Sequence, residues 1–103
     1  MKVVRRLRIG VDRQTVAVGT EITVYVRDDR RHPVEGAIVD AQTKSVRTNE
    51  RGRCRLQFDS PGFWKLVAAK SPTGREAYEP TSTLVRVVPN ETALRPLGWV
   101  ESR

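Results

Sequence analysis

A nucleophilic thiol beside a base is the first chemistry that the residue types allow, since the chain holds one cysteine, Cys54, and one histidine, His32. Such a pair attacks a substrate only when the thiol is exposed next to the imidazole. Cys54 alternates in phase with Leu56 and Phe58, which predicts that its side chain points into a core as an inert thiol. His32 stands in a polar turn, so we expect it to be solvated.

Serines and known loop motifs offer no better nucleophile. Ser60 and Ser71 each precede a proline in a turn, where a hydroxyl commonly bonds to the backbone instead of attacking a substrate. The sequence contains no nucleophile elbow, no Walker loop and no HExxH motif. One cysteine and one histidine are also too few for a structural zinc site. We therefore predict a protein that is not an enzyme and that carries no cofactor.

Calcium binding is the second chemistry to weigh. Asp28–Asp29 at the end of a predicted strand and Asn49–Glu50 on another loop present oxygen atoms of the kind that calcium prefers. The arginines in the same segments are Arg27, Arg30, Arg31, Arg47 and Arg51. Their charge opposes a divalent cation, so we expect the oxygen-bearing side chains to cap turns and form local ion pairs. The prediction is no metal site.

An excess of basic residues is the most informative feature of the composition. The 103 residues include 19 Lys and Arg against 12 Asp and Glu, a formal net charge of +7, which raises nucleic acid, another anionic polymer or an acidic protein as partner. Arginine suits phosphate, sulfate or carboxylate groups, and the outward aromatics Tyr25 and Phe63 add stacking surfaces for single-stranded nucleic acid. The candidate anion-binding residues, which we expect on one outer sheet face, are Arg6, Arg8, Arg47, Arg53, Arg55 and Lys65.

The same arginines have a second interpretation, because outward arginine on strands also solubilises a sheet and protects its edges. Apolar residues at outward positions, Ile38, Phe63, Val67 and Ala69, favour contact with another protein. A shift of one residue in strand parity would instead place them in the core. With Trp99 from the C-terminal tail, Ile38, Phe63 and Val67 are the candidate interface residues.

Strands must position all of these residues, because apolar and polar residues alternate with period two along most of the chain. The residues predicted to face inward are Leu7, Ile9, Val11, Ile22, Val24, Val26, Ala37, Val39, Ala41, Cys54, Leu56, Phe58, Trp64, Leu66, Ala68, Val85 and Val87. Turns with Gly and Pro separate the runs, and no window has a convincing helical period. The pattern predicts an all-β fold, an antiparallel β-sandwich of about seven strands in one domain over residues 1–88. A tail, residues 89–103, is expected to pack on the domain or on a partner.

Several segments resemble the carboxypeptidase regulatory-like domains. They are Thr20–Val26 with Asp28 after it, Pro33–Val39 (Pro-Val-Glu-Gly-Ala-Ile-Val), Thr48–Cys54 and Ser60–Ala68 (Ser-Pro-Gly-Phe-Trp-Lys-Leu-Val-Ala). The similarity extends over about residues 7–88 and implies a seven-stranded Greek-key sandwich of the transthyretin-like or bacterial Ig-like type, here in a small stand-alone version. Gly36 and Gly52 stand where hairpins of such a fold need a left-handed residue. Domains of this family are mostly non-catalytic accessory, adhesive or scaffolding units.

The N-terminal basic residues precede no apolar stretch, which predicts no secretory signal, and no run of the chain is long and apolar enough for a membrane span. We therefore expect a cytoplasmic location. The combined prediction is a non-catalytic binding or assembly module that acts through protein–protein contact, with an unidentified partner or a second copy. The alternative is binding of nucleic acid or another anionic polymer through the arginine-rich sheet face.

Overall fold

Strands make up all the regular secondary structure in residues 3–90, which are the part of the chain that the computed structural model describes. The ten strands are β1 (Val3–Arg6), β2 (Arg8–Val11), β3 (Thr15–Ala17), β4 (Ile22–Arg27), β5 (Ile38–Asp40), β6 (Ser45–Arg47), β7 (Arg53–Leu56), β8 (Gly62–Ala69), β9 (Glu76–Glu79) and β10 (Thr81–Val88). The all-β prediction is confirmed for these residues. None of them forms a helix with the length and apolarity that crossing a bilayer requires. The predicted tail lies outside them beyond Asn90.

These strands pair into three sheets. A five-stranded sheet has the order β3-β10-β8-β5-β6, a three-stranded sheet has the order β2-β4-β7, and β1 pairs with β9. Pairing is antiparallel throughout the three-stranded sheet and between β10, β8, β5 and β6. By contrast, β3 lies parallel to β10 and β1 lies parallel to β9. Both parallel pairs join an early strand to a late one.

The structure differs from the predicted seven antiparallel strands in the number of strands and in these two parallel pairs. Residues of β1 are mostly exposed and those of β9 are mostly half-buried, so neither strand has the apolar alternation that reveals a strand with one buried face. Alternation also has the same period in either direction, and so it carries no information about whether two strands run parallel. The alternation therefore predicts neither which strands pair nor whether they run parallel, and only the structure shows both.

A single hydrophobic core contains side chains from both larger sheets. The residues predicted to face inward are buried, except that Ile9 and Val11 are half-buried and pack against the core. Phe58 and Trp64 place their ring centroids 5.0 Å apart, and the Trp64 indole N–H donates a hydrogen bond to the Ser60 carbonyl oxygen at 2.9 Å. Full burial of one large apolar side chain stabilises the fold by about 1.5–3 kcal/mol. This burial fixes which side chains of each strand remain outside.

The chain passes from the five-stranded to the three-stranded sheet through the turn between β6 and β7, where three segments meet at Gly52. Gly52 is buried with a φ of +71°, and its carbonyl oxygen accepts a hydrogen bond from the Val26 N–H at 2.7 Å. A Cβ at this position would lie 2.5 Å from the Val26 carbonyl oxygen and 3.0 Å from the Val34 nitrogen. Val34 donates its own N–H to that Val26 oxygen at 3.0 Å. A side chain at position 52 would therefore force β4 and the Val34 segment apart.

Thr48 ties the same turn to the segment before β5, and it is the one buried polar side chain in residues 3–90. Its hydroxyl donates to the Val34 carbonyl oxygen at 2.6 Å and accepts from the Ala37 N–H at 2.9 Å. The Gly36 N–H donates to the Thr48 carbonyl oxygen at 3.0 Å, and the Thr48 N–H donates to the Ala37 carbonyl oxygen at 2.9 Å. Because the buried hydroxyl has both a donor and an acceptor, no polar group is left unpaired there.

An ion-pair cluster fastens the β1–β9 pair to the loop after β4. The Arg5 side chain is 13% exposed, and its Nε lies 3.2 Å from Glu76 Oε2 while its Nη1 lies 3.8 Å from Asp29 Oδ1. The Tyr78 hydroxyl donates to the other Glu76 carboxylate oxygen at 3.1 Å. Arg5 is thus engaged in holding the fold together.

We expect Gly52→Ala to lower the free energy of unfolding by about 3 kcal/mol or more, because the methyl group adds an overlap with Val26 to the strain of a positive φ. Gly74→Ala is the matched control, since its φ is +51° and no atom of the described part of the chain lies within 4 Å of the Cβ position. Strain alone predicts a loss of about 1 kcal/mol there. Urea unfolding followed by tryptophan fluorescence measures both. Equal losses in the two variants would contradict the close approach at Gly52.

Candidate functional site

The outer face of the three-stranded sheet carries four arginines around one aromatic ring. Arg8 of β2 lies opposite Arg27 of β4, and Arg53 of β7 lies opposite Tyr25 of β4. Arg55 follows two positions later on the same side of β7. The inward side chains of β4 are buried, which turns Tyr25 and Arg27 outward. We call this surface the basic face, and its residues are Arg8, Tyr25, Arg27, Arg53 and Arg55. Three of them, Arg8, Arg53 and Arg55, were predicted from the alternation to lie on one outer face.

A groove of about 500 Å³ opens on the basic face. Its walls include Arg8, Gly10, Tyr25, Arg27, Asp28 and Arg31. Arg31 has a left-handed φ of +68°, which is uncommon for a residue other than glycine. The turn that holds it is built on Asp28, whose carbonyl oxygen accepts the Arg31 N–H at 3.0 Å. The Asp28 Oδ1 accepts the N–H groups of Arg30 and His32 at 2.8 and 2.9 Å, so this carboxylate shapes the loop that brings Arg31 to the groove.

On the β7 side of the basic face, Arg55 has a carboxylate partner and Arg53 has an aromatic partner. Arg55 Nη1 lies 3.7 Å from Glu21 Oε1, with both side chains exposed. Exposed pairs of this kind are worth about 0–1 kcal/mol and are screened by salt. The guanidinium of Arg53 lies over the Tyr25 ring, 5.3 Å from its centroid. The ring attracts the cation but carries no negative charge that would neutralise it.

Among residues 3–90, the arginines on the groove side have no such partners. No carboxylate in the described part of the chain forms an ion pair with Arg8, Arg27 or Arg31. Arg8 and Arg27 are directly opposite each other in the strand register, a position in which like charges destabilise a sheet. An anion placed between the two guanidinium groups would replace that repulsion with attraction.

Three of the predicted anion-binding residues lie away from the basic face. Arg6, on β1, has its Nε 3.2 Å from Glu79 Oε1. Arg47 lies on β6 at the edge of the five-stranded sheet, and Lys65 lies on β8 within that sheet. The expectation that Lys65 stands beside the arginines of β7 is wrong, because β7 pairs with β4 and the chain changes sheets before β8 begins.

Sequence reasoning left Gly10, Arg27 and Arg31 out of the candidate site. Arg27 follows Tyr25 by two positions and shares its outward parity, so the alternation already contained that signal. Gly10 holds an outward position in the alternating run, and a glycine inside a strand can mark a place where a ligand comes close to the backbone. Arg31 has no periodic signal, because a loop places it.

The predicted interface residues lie on the outer face of the five-stranded sheet. Phe63 on β8 is 67% exposed, Ile38 on β5 is 37% exposed, and Val67 on β8 is half-buried. Leu84 on β10, which is 55% exposed, belongs to the same face and was not predicted. We call Ile38, Phe63, Val67 and Leu84 the apolar face. Trp99, the fourth predicted residue, lies outside the described residues.

Cys54 is buried in the core, as predicted, and desolvation by that burial raises the pKa of its thiol to about 11. Since the thiolate is the nucleophilic form, almost no reactive sulfur is present at neutral pH. His32 is exposed in the turn after β4, with its Nδ1 3.9 Å from Asp28 Oδ2. Ser60 and Ser71 are both exposed. A buried, protonated thiol and an imidazole at the surface do not form the exposed thiol–imidazole pair that nucleophilic attack requires.

Of the four oxygen-bearing residues considered for calcium, Asp28 and Asn49 cap turns, and Asp29 forms an ion pair with Arg5. Asn49 Oδ1 accepts the N–H groups of Arg51 and Arg53 at 2.9 and 3.0 Å, and Asp28 Oδ1 acts in the same way in its own turn. Within residues 3–90, no three His, Cys, Asp or Glu side chains form a group that could hold a metal ion. These side chains act here as local hydrogen-bond acceptors for the loop backbone.

Comparison with models of known protein families gives no match, and neither does comparison with curated protein sequences. Fold and site together define an all-β protein whose three-stranded sheet presents an arginine-rich outer face. The similarity to carboxypeptidase regulatory-like domains rests on the turn and strand segments given above and stays a prediction.

We expect the folded protein to resist alkylation by iodoacetamide. A thiol with a pKa of about 11 holds roughly a hundredfold less thiolate at pH 8 than one with the ordinary value of 9.0, and the core shields it as well. Mass spectrometry should therefore find alkylation at least about a hundredfold slower in buffer than in urea. Comparable alkylation rates in the two solvents would contradict a buried thiol.

The same pKa shift makes the stability of the fold depend on pH. Because the folded state favours the protonated thiol, the contribution of Cys54 to the free energy of unfolding is complete below pH 9 and is lost as the pH rises to about 11.

Proposed function

We propose that this protein is a non-catalytic binding module that holds an anionic polymer on the basic face. The observation that carries the proposal is the pair Arg8 and Arg27, two exposed arginines directly opposite each other, with Arg31 lining the same groove. Three cations line the groove with one carboxylate, Asp28, whose Oδ1 is bonded to the loop backbone, so the cations outnumber it and repel one another while the protein is free. A phosphate, sulfate or carboxylate group relieves that repulsion and accepts the paired N–H groups of a guanidinium.

The extent of the basic face favours a polymer over a small anion. Its arginines lie on all three strands of the sheet, β2, β4 and β7, which places the outer two roughly 10 Å apart. Along β7, Arg53 and Arg55 are separated by about 7 Å. A ligand with several charges in succession can contact such a surface at several points. The net charge of +7 additionally increases the rate at which an anionic polymer is encountered.

We further propose that the two larger sheets are the layers of an Ig-like or transthyretin-like sandwich, as in carboxypeptidase regulatory-like domains. Support comes from the shared core, to which Val24 and Leu56 contribute from one sheet and Leu66 and Val85 from the other. The left-handed Gly52 at a predicted turn position agrees with it. Modules of that family are mostly non-catalytic, which fits a binding role. The protonated, buried thiol of Cys54 also fits it.

We expect Arg8→Ala/Arg27→Ala to weaken binding of heparin and of a single-stranded oligonucleotide roughly tenfold or more at low salt. Each lost phosphate contact should also reduce the slope of log K against log salt by about 0.7 for a single strand. Fluorescence anisotropy across a salt series measures both quantities. Lys65→Ala/Arg86→Ala, on the outer face of the other sheet, removes the same charge and is the matched control. Equal weakening by both double variants, or no binding by the wild type, would overturn the proposal.

Contact with a protein is a second candidate function, and the exposure of the apolar face favours it. Phe63 and Leu84 lie on the paired strands β8 and β10, 67% and 55% exposed. Lys65 stands opposite Leu84, and Arg86 stands opposite Phe63. Two copies of the chain would bring these cations together, so the apolar face fits a partner that combines apolar side chains with carboxylates.

We expect Phe63→Ser/Leu84→Ser to lose a protein partner that the wild type retains from a nuclease-treated extract, because two central apolar contacts are removed. Affinity purification with mass spectrometry identifies the retained protein. Arg8→Ala/Arg27→Ala should still retain it, since those residues lie on the other sheet. Retention by the serine variant together with loss in the arginine variant would assign the contact to the basic face instead.

A further inference from the structure

Gly10 occupies a position in β2 where the backbone does not need glycine. The register runs without a bulge through Arg8–Arg27, Ile9–Val26, Gly10–Tyr25 and Val11–Val24. Gly10 is not among the glycines with a positive φ, and a Cβ built on it would meet no atom of residues 3–90 within 4 Å. A side chain would therefore fit without strain, and it would strengthen the strand.

Because position 10 has no side chain, the Tyr25 ring is left uncovered on its β2 side. Gly10 lies directly opposite Tyr25 on the outer face, in the position from which a cross-strand side chain would cover the ring. Tyr25 and Gly10 both line the groove, whereas Arg53, which stacks over the ring at 5.3 Å, does not. The ring thus has a guanidinium on its β7 side and open groove on its β2 side.

Three arginines and one carboxylate, Asp28, line the groove at this open side of the ring, so positive charge predominates there. Arg8 is two positions from Gly10 on β2, and Arg27 is two positions from Tyr25 on β4, which places each about 7 Å along its strand. Arg31 lines the groove from the loop after β4. A planar group lying on the ring would therefore have cations within reach of charged groups attached to it.

We propose that the slot between Gly10 and Tyr25 takes a nucleobase, so that the anionic polymer held on the basic face is single-stranded nucleic acid. The inference rests on the proposed function and names its ligand class. One base stacks on the Tyr25 ring while Arg8, Arg27 and Arg31 hold the neighbouring phosphates. Every base has a flat π surface, so this arrangement gives affinity with little sequence preference.

Other anionic polymers use the charge of the groove without using the slot. Sulfated polysaccharides and inorganic polyphosphate have no aromatic face, and a base in a duplex is already stacked between its neighbours. For those ligands Gly10 would not increase the binding affinity, although glycine at this position lowers the stability of β2. A single-stranded base is the ligand that both the charge and the open ring fit.

The experiment compares two labelled oligomers on the full chain by fluorescence anisotropy in low salt. One is an oligothymidylate of about twenty nucleotides, and the other is an abasic oligomer with the same number of phosphates. We expect the wild type to bind the oligothymidylate about tenfold more tightly, the effect of one stacked base. Gly10→Val, which fills the slot and keeps every charge, should reduce oligothymidylate affinity to the abasic level and leave abasic binding unchanged.

Controls separate the slot from the stability of the fold. Gly10→Val should raise the melting temperature, because valine suits a strand better than glycine, so lost affinity cannot come from unfolding. Thr23→Val introduces the same side chain on the outer face of the same sheet, outside the groove lining, and should not alter binding. Tyr25→Phe keeps the ring and should retain the preference for the base-containing oligomer, whereas Tyr25→Thr should abolish it.

Each outcome decides between the two proposals. Equal affinity for the two oligomers, with both weakened by Arg8→Ala/Arg27→Ala, would overturn the base slot and leave anion binding standing. Binding of heparin without binding of either oligomer would do the same. A Gly10→Val variant that keeps the full preference for oligothymidylate would also overturn the slot. Absence of binding to all three polymers would overturn the proposed function itself.

Discussion

The close passage of the chain at Gly52 determines how the two larger sheets are joined. The Val26 carbonyl oxygen and the Val34 nitrogen leave no room there for a side chain, and the hydroxyl of Thr48 holds the adjoining turn on the segment before β5. This turn leads directly into β7, which lies along β4 with Arg53 opposite Tyr25. The chemistry of the outer face thus depends on a contact between backbone segments, about which the charged residues themselves carry no information.

Two outer faces of different character result from one buried core. Alternation sends the inward side chains of both sheets into a shared cluster, and whatever stands at the other parity is left outside. On the three-stranded sheet this is arginine around one tyrosine, and on the five-stranded sheet it is Phe63 and Leu84 among cations. Burial of the core stabilises the fold by more than the Arg8–Arg27 repulsion destabilises it, so two like charges can stand at one groove.

Burial was predictable from the sequence because it follows from local alternation. Cys54 faces inward and Phe63 faces outward, as the pattern predicts. Whether a side chain faces inward or outward follows from alternation along its own strand, whatever the direction of the neighbouring strand. Strand partners were not predictable, as Lys65 demonstrates, since pairing depends on where the chain crosses between sheets. Arg31 reaches the groove from a loop, where position follows from turn hydrogen bonds and has no period. Half of the anion-binding candidates therefore lie on the basic face, while part of the groove comes from residues without a sequence signal.

The two parallel pairs also determine when the sheets can form during synthesis on the ribosome. Arg5 and Glu76, which join β1 to β9, are 71 positions apart, and β3 finds its partner only in the last residues of β10. A ribosome adds roughly 5–20 residues per second, so these early strands wait several seconds with unpaired edges. Contacts between such distant segments also form slowly once the partner is available. For that interval the nascent chain exposes strand edges that are paired in the finished protein, and such edges can pair with other chains.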